Sequence, residues 1–219
     1  IRGLRQAKRN ASDGISLVQV TEGGLNEITN ILVRLRELSV QAASDTIGDT
    51  ERAFTDREFQ SLKQEIQRIS TSTNFNGTPV LAGREQAIDI QVGVYNTAND
   101  RLSYDTKFAD SRLEALGIAE EAVNTKLGAQ TSLSKLDMGL KQVNEVRSTL
   151  GAMQNRLQST INNLSIYDEN LSAANSRIRD VDVAEESSEL VKQNILQQAG
   201  VSVLSQANSS QQQALKLLG

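Results

Sequence analysis

The side chains of this chain that could do chemistry are few, and their spacing suits recognition better than reaction. There is no His and no Cys, which removes imidazole general bases, thiol nucleophiles, disulfides and the common zinc ligand sets. Carboxylates remain, but Glu120 and Glu121, like Glu185 and Glu186, are adjacent in sequence. Neighbouring residues point to different helix faces and make poor acid/base pairs. Arg147, Gln154 and Asp168 interrupt an apolar seam, as a buried polar site or a set of register-fixing positions would; register is the expected role. One constellation is sharper. Arg34 and Leu38 lie four apart and Gln41 three further, so all three project from one helix stripe beside a core seam. Glu58 directly precedes an apolar position of the next helix, Phe59, and is expected to face outward. Arg34 and Glu58 are of opposite charge and suit a salt bridge between subunits.

These residues need long helices to position them. From Leu4, the positions Ala7, Ala11, Gly14, Val18, Thr21, Leu25, Ile28, Leu32, Leu35, Ser39 and Ala42 alternate steps of three and four. The same alternation from Leu133 runs through Leu136, Leu140, Val143, Arg147, Leu150, Gln154, Leu157, Ile161, Leu164 and Asp168 to Leu171. A seam sustained this far buries itself only against another helix, and the first is expected to pair with this distant one. The predicted fold is mainly α: a long antiparallel, coiled-coil-like rod with a small β-hairpin region and a C-terminal core-forming helix.

Helices are expected over about 2–44, 50–72 and 129–174, with Thr50 as an N-cap. The second carries Phe59, Leu62, Ile66 and Ile69. Between 75 and 110 the period changes to two: Ile88, Ile90, Val92 and Val94 alternate with polar or small residues, and Leu102 and Tyr104 suggest the returning strand. Val80 and Leu81 read as a short strand, and 111–116 as a helical turn before Gly117. A linker is expected over 176–182 and a last helix over 183–218. That helix spreads Ile195, Leu196, Val203, Leu204, Leu215 and Leu218 around its circumference and carries little charge after Lys192, so it wants partners on more than one side.

Charge and composition narrow the class. The 219 residues hold 23 basic and 27 acidic side chains, for a net charge of −4, which argues against nucleic acid as a partner. The basic opening of Arg2, Arg5, Lys8 and Arg9 reads as a solvated helix face. No apolar run is long enough to span a bilayer. No nucleophile, phosphate-loop or cofactor motif is present, so an enzyme is not expected. The chain opens at Ile1 inside a helical pattern, from which a preceding segment is expected.

Several separate segments then carry a resemblance. Residues 32–42 (LVRLRELSVQA), the junction Asn74-Phe75-Asn76-Gly77, residues 165–182 (SIYDENLSAANSRIRDVD), Gln206-Ala207-Asn208 and the closing Leu215-Lys216-Leu217-Leu218-Gly219 resemble the corresponding stretches of bacterial flagellins. The resemblance implies a rod domain over 1–175 and the C-terminal half of a filament-core domain over 183–219, without about fifty to sixty N-terminal residues of the family and without its large outer domains. It implies an extracellular, secreted subunit of the bacterial flagellum. Such a subunit is exported unfolded by the flagellar type III apparatus and self-assembles into a helical tube for motility. The implied partners are other copies of the subunit, an export chaperone on the C-terminal helix, and cap and hook-junction proteins. Toll-like receptor 5 would read the positions Arg34, Leu38, Gln41 and Glu58. A flagellar hook–filament junction protein, or a non-flagellar coiled-coil adhesin, is the alternative.

Overall fold

The computed structural model describes residues 1–83, 87–180 and 182–218, with side chains up to 210. It divides into a compact unit, Ile1–Glu169, and a second, Asn170–Gly219.

In the first unit, α1 spans Arg2–Ala42, α2 Asp49–Ser72, and α3 Lys126–Arg179, which continues past the unit boundary. Every position of the α1 seam from Ala7 to Ala42 is buried, joined by Leu17 and Leu38. Cross-contacts give the pairing. Arg5 meets Asp168, Gly14 faces Leu157, Glu22 approaches Arg147, Leu32 lies by Gly139 and Arg36 meets Asp137. Numbers rise on α1 as they fall on α3, so the two are antiparallel and joined over a long sequence distance, as the seams predict. The second half of α1 also packs against α2, where Phe59 and Ile66 are fully buried.

The α3 seam departs from its expected register. Leu136, Val143, Leu150, Leu157 and Leu164 are buried, but the alternate positions are Ser132, Gly139, Val146 and Met153, not Leu133, Leu140, Arg147 and Gln154. The core stripe thus lies one residue earlier at every second position. The polar residues sit at its edge: Asp168 accepts from Arg5 Nε at 3.0 Å, and Arg147 reaches Glu22 at 3.9 Å. Arg147 Nε is buried without a hydrogen-bond partner among the described residues.

Two small antiparallel sheets follow α2. Strands β1 (Asn74–Phe75) and β2 (Thr78–Pro79) are joined by Asn76 and Gly77, whose φ values of 49° and 75° suit a two-residue hairpin turn. Val80 and Leu81 are buried but lie outside a strand. Strand β3 (Ile88–Gln91) pairs with β4 (Arg101–Tyr104), Ile88 opposite Tyr104 and Gln91 opposite Arg101. The ladder stops short of Val94 because the Val92 and Gly93 amides both turn to the Asp100 carbonyl. This hairpin lies on α1, with Ile90 against Gly14 and Val94 beside Gly3. The expected turn over 111–116 is closed by Leu116 N–H to the Arg112 carbonyl and ended by Gly117 at φ 69°.

Arg52 ties α1 to α2. Its side chain is buried and donates Nε to the Ala42 carbonyl at 2.9 Å, NH2 to the Ser44 carbonyl at 2.9 Å and NH1 to Asp49 at 2.8 Å, which satisfies carbonyls left over at the end of α1. α2 begins at Asp49 behind Gly48, one residue before the expected cap Thr50.

In the second unit, helix continues through 176–179, where a linker was expected, and α4 runs Val183–Leu218. Asp182 caps it, its carboxylate accepting from the Ala184 and Glu185 amides at 2.9 and 3.3 Å. Among the described residues no helix is long and apolar enough to cross a membrane.

Candidate functional site

The sharp constellation forms on the outer face of α1 and α2. Arg34 Nε and NH2 both donate to Glu58 Oε1, at 3.0 and 2.9 Å, and NH1 donates to Glu37 Oε2 at 2.9 Å. Arg34 and Glu58 are about half exposed, at 50% and 48% of their side chains. These hydrogen bonds, to Glu37 first and Glu58 next, hold the guanidinium further above its already high pKa. The pair is thus made within one chain, and its outer half stays open to a partner. Gln41 is exposed two turns beyond Arg34, and the exposed Val33 and Val40 put apolar surface beside this polar stripe.

Leu38 does not belong to this surface. It is 2% exposed and lies in the core with Leu35 and Phe59. Its four-residue spacing from Arg34 places it on an adjoining stripe, and the pairing of α2 against the second half of α1 covers that stripe. The surface comprises Arg34, Glu37, Gln41 and Glu58. Sequence reasoning missed one member, Glu37. The signal for Glu37 was its spacing of three from Arg34.

The second candidate surface is α4. Ile195, Leu196, Val203 and Leu204 are 57–67% exposed, and so are Leu190, Val191 and Val201 at 54–64%. Leu215 and Leu218 lie outside the described side chains. A helix with this much apolar surface in water, on more than one face, is built to be covered.

Together these features define a structural protein: N- and C-terminal helical regions paired across the chain, a small β region between them, and an apolar helix left uncovered. Residues 1–86 match the bacterial flagellin N-terminal helical region and residues 133–218 the bacterial flagellin C-terminal helical region. The chain is 44% identical to a flagellin of Halalkalibacterium halodurans over 218 residues, covering all of this chain and 79% of the relative. It is 40% identical to a Bacillus subtilis flagellin, covering 82% of that protein. The crystal structure of Bacillus cereus flagellin matches 76% of this chain and 94% of its own with a TM-score of 0.63 at 31% identity. The chain belongs to the bacterial flagellin family. It is a structural subunit of the flagellar filament and not an enzyme.

Proposed function

We propose that α4 is the surface by which the subunit enters the filament, and that the second unit with α4 is the C-terminal half of the filament-core domain, the rod being residues 1–175. The exposed apolar run on α4 carries this reading. Burying a large apolar side chain contributes about 1.5–3 kcal/mol, so Ile195, Leu196, Val203 and Leu204 supply a substantial drive to associate with further copies. Contacts that repeat head to tail without closing extend into a tube. The same face is a hazard before assembly, and a flagellar export chaperone covers it by the helix-in-groove mode, with Leu215 and Leu218 continuing the stripe. Export then places the subunit outside the cell, where it adds beneath the cap beyond the hook-junction proteins. Seeded growth tests the assembly step: Leu196→Asp with Leu204→Asp should stop elongation on filament seeds while the rod keeps its helical circular dichroism. Unimpaired growth would refute the reading.

The Arg34–Gln41–Glu58 surface serves contacts between neighbouring subunits and, in the free subunit, recognition by Toll-like receptor 5. Its support is an arginine half exposed beside apolar Val33 and Val40, a composition suited to a binding hot spot. Arg34→Ala should lower the response of receptor-expressing cells to free subunit. An unchanged response would remove Arg34 from that role.

A further inference from the structure

Residues 113–123 connect the β region to α3 without helix or strand. Main-chain groups in such a stretch must find partners outside a ladder. Turn bonds close 112–121 and Ser132 of α3 reaches the Ala122 carbonyl at 3.4 Å, and a single stripe of α2 supplies further ties. Gln67 Oε1 accepts from the Leu113 amide at 3.2 Å. Lys63 Nζ donates to the Ala119 and Glu121 carbonyls at 2.7 Å each, and Gln60 Nε2 donates to the Glu121 carbonyl at 3.1 Å. Asp56 Oδ1 accepts from the Val123 amide at 2.8 Å. The positions 56, 60, 63 and 67 share one helix face, and their order runs opposite to that of the segment they hold. Every tie is to main chain, so the stripe grips a backbone path and not particular side chains.

Lys63 is the centre of this grip. It is 4% exposed, and among the described residues no carboxylate lies within ion-pair distance of its ammonium. An apolar side chain of the same length would fill the volume without desolvating a charge, but would orphan the Ala119 carbonyl and leave the Glu121 carbonyl with Gln60 alone. Beneath the segment, Leu116, Ile118 and Val123 enter the core at 4%, 0% and 0% exposure. We propose that residues 113–123 are a strap clamped onto α2 by Lys63, which opens as a unit while α1, α2 and α3 stay folded. Opening frees Ile118 and Val123 from the core. The strap does not depend on the filament role.

Hydrogen exchange followed by mass spectrometry on the full chain tests it. Lys63→Met should raise exchange in peptides spanning 113–123 by at least about tenfold, leaving peptides of 25–38 and 136–150 unchanged. Equal acceleration in the helices would make Lys63 an ordinary core residue and overturn the proposal, as would an unchanged strap. Should Lys63→Met lose its helical circular dichroism, Asp56→Ala takes its place with the same readout. It removes the Val123 tie and the contact of Asp56 with Gln60 Nε2, and acceleration confined to the strap is expected. Acceleration spread to the helices, or none, overturns the strap.

Discussion

Replacing Gly14 with Ala tests the packing of α1 against the hairpin and α3 by the smallest possible change. An added Cβ would stand 2.8 Å from Ile90 Cδ1 and 3.3 Å from both Ile90 Cγ2 and Leu157 Cδ1. Two effects oppose one another: Ala improves on Gly in a helix interior by about 0.8–1 kcal/mol, and overpacking a dense core costs about 1–3 kcal/mol. The nearest atom is the end of a flexible side chain, so the cost falls in the lower and middle part of that range. Gly14→Ala should therefore fail to stabilise the rod, with a net effect from about zero to about 1.2 kcal/mol of destabilisation. Ile90→Val deletes the Cδ1 that causes the closest contact, at a cost of about 0.5–1.5 kcal/mol by itself. In that background the propensity gain is released, and Gly14→Ala should stabilise by up to about 1 kcal/mol. The two changes thus couple by about 1–2 kcal/mol. Urea unfolding followed by far-ultraviolet circular dichroism, compared at constant slope, measures the cycle. Stabilisation by Gly14→Ala in both backgrounds would mean that Ile90 does not lie on α1 at this point.

Three further outcomes follow from the buried charges. Arg52→Met removes the donors that satisfy the Ala42 and Ser44 carbonyls and should lower the unfolding free energy by about 2–4 kcal/mol, read as a lower urea midpoint. Burial lowers the Lys63 pKa from its ordinary 10.5, against smaller opposing contributions from Asp56 and Glu121. The unfolded chain then binds that proton more tightly, so this group makes stability rise with pH in the alkaline window just below 10.5, a slope that Lys63→Met should abolish in urea midpoints measured across that window. Asp110 is desolvated, which opposes ionisation, but the hydrogen bonds and charge of Arg112 outweigh burial and hold its pKa below 3.8. Its contribution is present above that value and lost as pH falls through the lowered pKa, so Asp110→Asn should flatten the acid limb of the stability profile.

The sequence made the α1 seam legible because that helix meets its partners along one uninterrupted stripe, and nearly every step of three or four landed on a buried residue. α3 was harder. Leu133 and Leu140 are apolar and half-buried, and they drew the reading toward a stripe that also contained Arg147 and Gln154. The true stripe uses Ser132 and Gly139, small residues that hydropathy does not mark but that admit neighbours: Ser132 Oγ donates to Glu121 Oε2, and Gly139 lies near Leu116 and Leu32. Leu38 and the pair Arg52 and Lys63 failed in opposite directions. An apolar residue placed on a recognition surface turned out to be core, and two cations with no apparent reason for burial proved to be buried. For the cations the readable signal was heptad position, since Lys63 lies between Phe59 and Ile66 and Arg52 seven residues before Phe59. Their carbonyl partners lie at the very end of α1, at Ala42, and in segments without regular structure, at Ser44, Ala119 and Glu121, where periodicity carries little information.

If α4 is the assembly surface, it is exposed in the free subunit and buried in the filament. The native chain contains no cysteine, so Ile195→Cys and Leu204→Cys each introduce a single thiol on that helix. Maleimide labelling of the same variant as free subunit and as assembled filament compares the two states directly. Rapid labelling of the free subunit and strong protection of both positions in filaments are expected. Equal labelling in the two states would mean that α4 is not the assembly surface.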